Sequence, residues 1–139
     1  MHDHSNVLVV TGSVCLAITL VLSWCLVGTR SSKFVKALFP NYQYLLKAHL
    51  DYLMMTGLLM IFYLLFVHFQ LAVTHLVLVA MSIGSFLNPV GFLILAVKPD
   101  TRQQPSSPFG LIMAGSFTLT TIGYAGAAWY VARAAVAAM

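Results

Sequence analysis

The sequence predicts an all-α polytopic membrane protein, a bundle of four transmembrane helices in one integral membrane domain. Three observations predict it. Of 139 residues, 60% are hydrophobic and only 7% charged, against about 25% charged in soluble domains. The mean hydropathy of +0.92 leaves too few polar side chains to cover a globule in water. Mostly apolar stretches also recur four times, at about 6–29, 45–67, 71–97 and 109–132. A bilayer core takes about 20 such residues at about 1.5 Å rise each. Helices are the form in which a lone span satisfies its own backbone in lipid.

The first span is too long for the apolar region of a signal peptide and lacks both a basic start and a clear Ala-x-Ala cleavage site, so it is expected to stay in the mature protein. Its Cys15 and Cys25 lie about 15 Å apart along the helix axis. That is too far to pair, and both read as packing thiols. The basic, polar segment 30–44, interrupted by Pro40, reads as a surface loop or short interfacial turn. The second span carries Lys47, His49 and Asp51 only in its first two turns. Almost no linker separates it from the third, which predicts a tight antiparallel hairpin around residues 68–72.

The third span contains Gly84, Ser85, Asn88, Pro89 and Gly91. Pro89 has no amide hydrogen, so the Ser85 carbonyl should lose its usual partner, and a bend or polar opening is expected. Segment 99–108 carries three prolines and reads as a loop. The fourth span sets Gly110/Ala114 and Gly123/Ala127 at the small-x-x-x-small spacing suited to close packing in lipid, either within the chain or between subunits. The Ala-rich end, 132–139, can prolong that helix.

Arg30, Lys33, Lys36 and Lys47 lie at the first connection and Lys98 and Arg102 at the third, whereas Arg133 stands alone on the other side. The positive-inside rule then puts both longer loops in the cytoplasm and both termini outside, across the inner membrane if the source is bacterial. A net charge of +4 from seven basic and three acidic residues is too small for a phosphate-tracking surface. Nucleic acid is not an expected partner; membrane lipid is. Four short spans without an inverted repeat also argue against a monomeric transporter.

Polar chemistry concentrates in Lys47-Ala48-His49-Leu50-Asp51-Tyr52. Ionisable groups within a span are costly unless they face a cavity, a partner or the interface. Helical spacing puts His49 on one face with Tyr52, Leu53, Thr56, Met60 and Tyr63. Such a face could hold a flat cofactor, with the imidazole as ligand to iron, zinc or copper. The alternative makes His49 and Tyr52 interfacial anchors, with Asp51 solvated or near Lys47. Asp51 points about 200° around from His49, so its partner is expected on another helix or subunit.

Asn88 lies about 15 Å from the Lys98 end, level with the middle turns of the second span. It is expected to face the cavity of His49 or Thr56, or to hold the Pro89 kink by a helix-helix hydrogen bond. His2, Asp3, His4, His68 and His75 form a second possible metal site on the external side. His68 is about 28 Å from His49, so the two cannot ligate one haem.

In order along the chain, Phe39-Pro40-Asn41-Tyr42, Lys47-Ala48-His49, Val90-Gly91-Phe92 and Phe109-Gly110 resemble the membrane-bound styrene oxide isomerase family, small four-span proteins that carry haem b and assemble as trimers. The resemblance implies that His49 is an axial ligand of the iron near a subunit boundary. It further implies a hydrophobic or aryl epoxide as substrate, opened by the iron as Lewis acid and converted to an aldehyde by a 1,2-shift. Tyr52, Leu53 and Met60 are then the candidates for contact with the haem, and Asn88, Tyr52 and Thr56 for catalysis. Phe62 and Tyr63 add aromatic lining.

The chain departs from the family pattern at two polar positions. Met55 stands where the family has an asparagine and Leu93 where it has a tyrosine, and neither can donate the same hydrogen bond. The family's third-span asparagine aligns with Pro89, one residue after Asn88. A haem protein for electron transfer or sensing, and a cofactor-free membrane scaffold, are the alternative functions.

Overall fold

The computed structural model describes residues 5–100 and 107–139, all helix and connection, with no strand among them. Five helices follow in order: α1 Asn6–Ser31, α2 Lys33–Leu38, α3 Tyr42–His68, α4 His75–Val97 and α5 Pro108–Ala137. Four of them, all but the six-residue α2, are long and apolar enough to cross a membrane. Large apolar side chains point outward all round the bundle, with Leu20, Trp24, Phe117 and Trp129 each more than half exposed. An exterior of that kind belongs in lipid, and the protein is an integral membrane four-helix bundle.

Polar caps mark where the helices begin. The Ser32 hydroxyl accepts from the Val35 amide at 3.4 Å, which turns part of the expected loop into α2. Asn41 Oδ1 accepts from the Tyr44 amide at 3.3 Å, directly after Pro40, and opens α3 three residues earlier than expected. Ser107 Oγ accepts from the Gly110 amide at 3.1 Å, with Pro108 in the first turn of α5. Each cap satisfies an amide that the helix start leaves without a partner. The Ala-rich end does prolong the last helix, to Ala137.

The α3–α4 hairpin is present, but α4 begins at His75 rather than near residue 71. The cause is how α3 ends. Gln70 takes φ 50°, the Leu71 amide donates to the Phe66 carbonyl at 2.9 Å and the Gln70 amide to the Val67 carbonyl at 3.2 Å. This is a Schellman closure, with Leu71 folded back on the buried Phe66. Those residues are therefore the stop of one helix, not the start of the next.

The central pair, α3 and α4, is flanked by α1 packed mainly on α3 and α5 packed on α4; α1 also reaches α4. Gly84 and Gly123 bring α4 and α5 backbone to backbone. A Cβ on Gly84 would stand 2.6 Å from the Thr120 amide nitrogen, and one on Gly123 2.6 Å from that of Met81. The Gly123/Ala127 pair is thus used inside the chain. At the other spacing pair, Ala114 is exposed. One apolar cluster, around Leu8, Leu59, Phe66 and Met81, fills the hairpin end of the bundle. A second, around Cys15, Leu45, Tyr52 and Ala96, fills the α2 end, where the Asn41 amide also meets the Ala96 carbonyl.

Candidate functional site

Three neighbouring residues of α3 reach three different places. His49 faces α1: its Nδ1 lies 3.1 Å from the Thr19 carbonyl oxygen and 3.5 Å from Ser23 Oγ. A carbonyl only accepts, so Nδ1 carries the proton and donates. The Ser23 hydroxyl itself donates to the same carbonyl at 3.0 Å. The lone pair of the neutral ring is then on Nε2, which makes no hydrogen bond among the described residues. Anchoring one ring nitrogen on a backbone carbonyl is how proteins orient an imidazole whose other nitrogen binds a metal.

Asp51 faces α4, where Asn88 Nδ2 donates to its Oδ2 at 3.0 Å. The expectation of a partner on another helix holds for Asp51. Asn88 does not turn toward His49 or Thr56, because the carboxylate that takes its amide lies about 200° around α3 from the imidazole and about 140° from Thr56. Lys47 leaves Asp51 alone and sits over the Tyr44 ring, 5.4 Å from its centroid.

Tyr52 is buried and donates to the Phe86 carbonyl at 3.2 Å, with its ring edge-on to Phe86. The acceptor lies in the α4 turn that Pro89 disrupts, next to the Ser85 carbonyl. The phenol from α3 thus meets the carbonyl beside the one that Pro89 frees, while α4 runs on as one helix through Pro89. The Thr56 hydroxyl is buried and donates back to the Tyr52 carbonyl at 2.9 Å.

The expected single face of α3 is therefore divided. His49 and Met60 meet α1, where a Cβ on Gly12 would touch the Met60 methyl at 2.9 Å. Tyr52 points to α4, and Leu53 is 47% exposed on the outside. Tyr52 and Leu53 lie about 100° apart at either edge of that face, and in a bundle this thin those edges meet different neighbours.

Sequence reasoning missed Tyr124. From α5 its hydroxyl lies 2.8 Å from Ser85 Oγ and donates to Met55 Sδ at 3.9 Å, so a phenol stands beside Met55. The available signal was a bulky polar ring set among small residues, Gly123-Tyr124-Ala125-Gly126.

No group of three or more His, Cys, Asp or Glu able to hold a metal occurs among the described residues. His68 and His75 are exposed, and His2, Asp3 and His4 lie outside the described residues. A single imidazole nitrogen, His49 Nε2, is what this site leaves without a hydrogen bond among the described residues. No family model, curated protein or solved structure matches the chain.

Proposed function

We propose that the protein is a haem b membrane isomerase of the styrene oxide isomerase type, converting a hydrophobic or aryl epoxide to an aldehyde. The supporting observation is the His49 ring, held by Thr19 through Nδ1 with its Nε2 lone pair uncommitted. When bound, ferric haem supplies a Lewis acid that can polarise an epoxide oxygen. His49 would hold the iron and fix its orientation through the Thr19 carbonyl.

Leu53 and Leu50 lie to one side of His49 on exposed apolar surface, which suits a site completed by a further copy in a homotrimer. Tyr52, Thr56 and Asn88 are committed to the Phe86 carbonyl, the Tyr52 carbonyl and Asp51. Tyr52 and Asn88 act here as positioning residues that hold α3 against α4, whereas the Thr56 bond stays within α3. With those groups engaged, the surroundings stay apolar and exclude the water that would divert a developing benzylic cation to a diol. The orientation that goes with this reading has both long loops in the cytoplasm and both termini external, in a bacterial inner membrane.

A second reading keeps the haem and replaces isomerisation with electron transfer or sensing. Met55 and Leu93 at the family's polar positions favour it, although the Tyr124 phenol beside Met55 offers a donor from another helix.

The test is the optical spectrum of the purified protein in detergent. A haem band that His49→Ala abolishes supports both readings, and aldehyde formed from an aryl epoxide without added cofactor selects the isomerase. A protein that neither retains nor takes up haem removes both.

A further inference from the structure

At the α2 end of the bundle, Arg30 from the last turn of α1 and Lys36 from α2 line one pocket of about 280 Å³ together with Thr29, Phe39, Pro40 and Tyr42. Both cations are exposed, and no ion pair joins either to an acid among the described residues. The Thr29 hydroxyl is turned back on the Leu26 carbonyl at 2.7 Å, and the charged side chains that line the pocket, Arg30 and Lys36, are both cationic. The pocket's volume leaves room for an anionic head group but not a whole lipid.

Phe39 is also a wall of a second, apolar groove of about 490 Å³, which runs along α1 past Ile18, Val21 and Cys25, with Leu93 and Val97 of α4 opposite. From Arg30 to Ile18 the helix descends about 18 Å. One leaflet of hydrocarbon is about 15 Å deep. A cationic pocket that adjoins, at Phe39, an apolar groove one leaflet deep has the shape and charge of a single amphiphile. Beside it, α2 exposes Phe34 and Leu38, apolar surface at the level of the head groups.

We propose that this pocket and groove together bind one anionic phospholipid, its phosphate between Arg30 and Lys36 and one acyl chain along the α1–α4 groove. The site is independent of haem. Arg30 offers a planar fork that matches two phosphate oxygens, and Lys36 adds a point charge. An anionic leaflet attracts such cations even without a built pocket. The specific claim is therefore retention of one lipid after extraction, beyond general attraction to the surface.

The experiment is native mass spectrometry of the full chain released from nanodiscs containing equal parts phosphatidylglycerol and phosphatidylcholine. The expected result is one phosphatidylglycerol retained per chain, with at least a fivefold preference over phosphatidylcholine. Arg30→Gln/Lys36→Gln should lose it, and so should Ala17→Phe, which fills the groove that Ala17 lines one residue before Ile18. Lys33→Gln/Lys47→Gln, with the same change of charge, should keep it. No head-group preference, or equal loss in both double variants, overturns the proposal. So does a thermal shift in detergent produced by inorganic phosphate as fully as by phosphatidylglycerol, which would make the ligand a free anion. Phosphatidylglycerol carrying a head-group diazirine provides a test without variants: labelling confined to residues 29–42 is expected, and labelling spread over all helices would refute the site.

Discussion

Gly123→Ala tests whether α4 and α5 meet backbone to backbone. The new Cβ would stand 2.6 Å from the Met81 amide nitrogen and 2.9 Å from the Met81 Cα, where ordinary contact is 3.4–4 Å. Neither obstacle is a side chain that can swing away. The helices must part by about 1 Å, and every close contact along the seam loosens with them. Overpacking of this kind costs about 1–3 kcal/mol. It is offset by up to about 1 kcal/mol that alanine gains over glycine inside a helix. Gly115 supplies the control, since a Cβ there meets nothing within 4 Å. Gly115→Ala carries the helix gain without the clash, so the two variants should differ by the clash alone. Even 1–2 kcal/mol is a factor of about 5–30 in the folding equilibrium. Titration from mild detergent into dodecyl sulfate, followed by circular dichroism, measures it. Should Gly123→Ala unfold at the same dodecyl sulfate fraction as Gly115→Ala, or later, the backbone contact is wrong.

Gln70→Gly should raise stability in the same titration by up to about 1 kcal/mol, because glycine takes a positive φ without steric cost, and Gln70→Val should lower it. Tyr124→Phe leaves the Ser85 hydroxyl without its partner and should cost about 0.6–1.7 kcal/mol; a double-mutant cycle with Ser85→Ala should show coupling of that size, and strict additivity would mean that no bond is made. Under the haem proposal, Ser23→Ala should retain the optical band that His49→Ala loses, since the stronger hold on the imidazole is the Thr19 backbone carbonyl. Loss of the band in Ser23→Ala would show instead that the hydroxyl orients the ring.

The four spans are legible because lipid imposes one requirement along each whole helix, and about 20 apolar residues in a row satisfy it. Helix ends are set by single hydrogen bonds, and these are harder to read. Ser32 and Asn41 look like ordinary loop residues until their side chains are seen to accept from Val35 and Tyr44. Gln70 carries no mark of a positive φ, since glycine is the usual residue there, and so the sequence does not separate the α3 stop from the α4 start.

The candidate site divides along the same line. Angles within one helix follow from 3.6 residues per turn, so the separation of Asp51 from His49 is legible from spacing alone. Contacts between helices depend on crossing and rotation, which spacing does not contain. Asn88 stands at a depth that would suit either Thr56 or Asp51, and only the packing of α4 on α3 brings it to the carboxylate. Tyr124 reaches Ser85 and Met55 for the same reason, through the close α4–α5 approach that Gly84 and Gly123 allow.

The three contacts from neighbouring residues of α3 also act together. His49 holds the Thr19 carbonyl of α1, Asp51 takes the Asn88 amide of α4, and Tyr52 reaches the Phe86 carbonyl of α4. Steps of about 100° per residue spread these three side chains around the helix axis. A rotation of α3 that eased one would strain the others, and within lipid a freed polar group has no water to turn to. The rotation of α3 is therefore fixed by polar contacts on two flanks, more tightly than apolar packing alone would fix it. The orientation of the imidazole follows from that rotation. Asp51 and Asn88, neither of which touches His49, thus help to hold the one nitrogen lone pair on which the proposed chemistry depends.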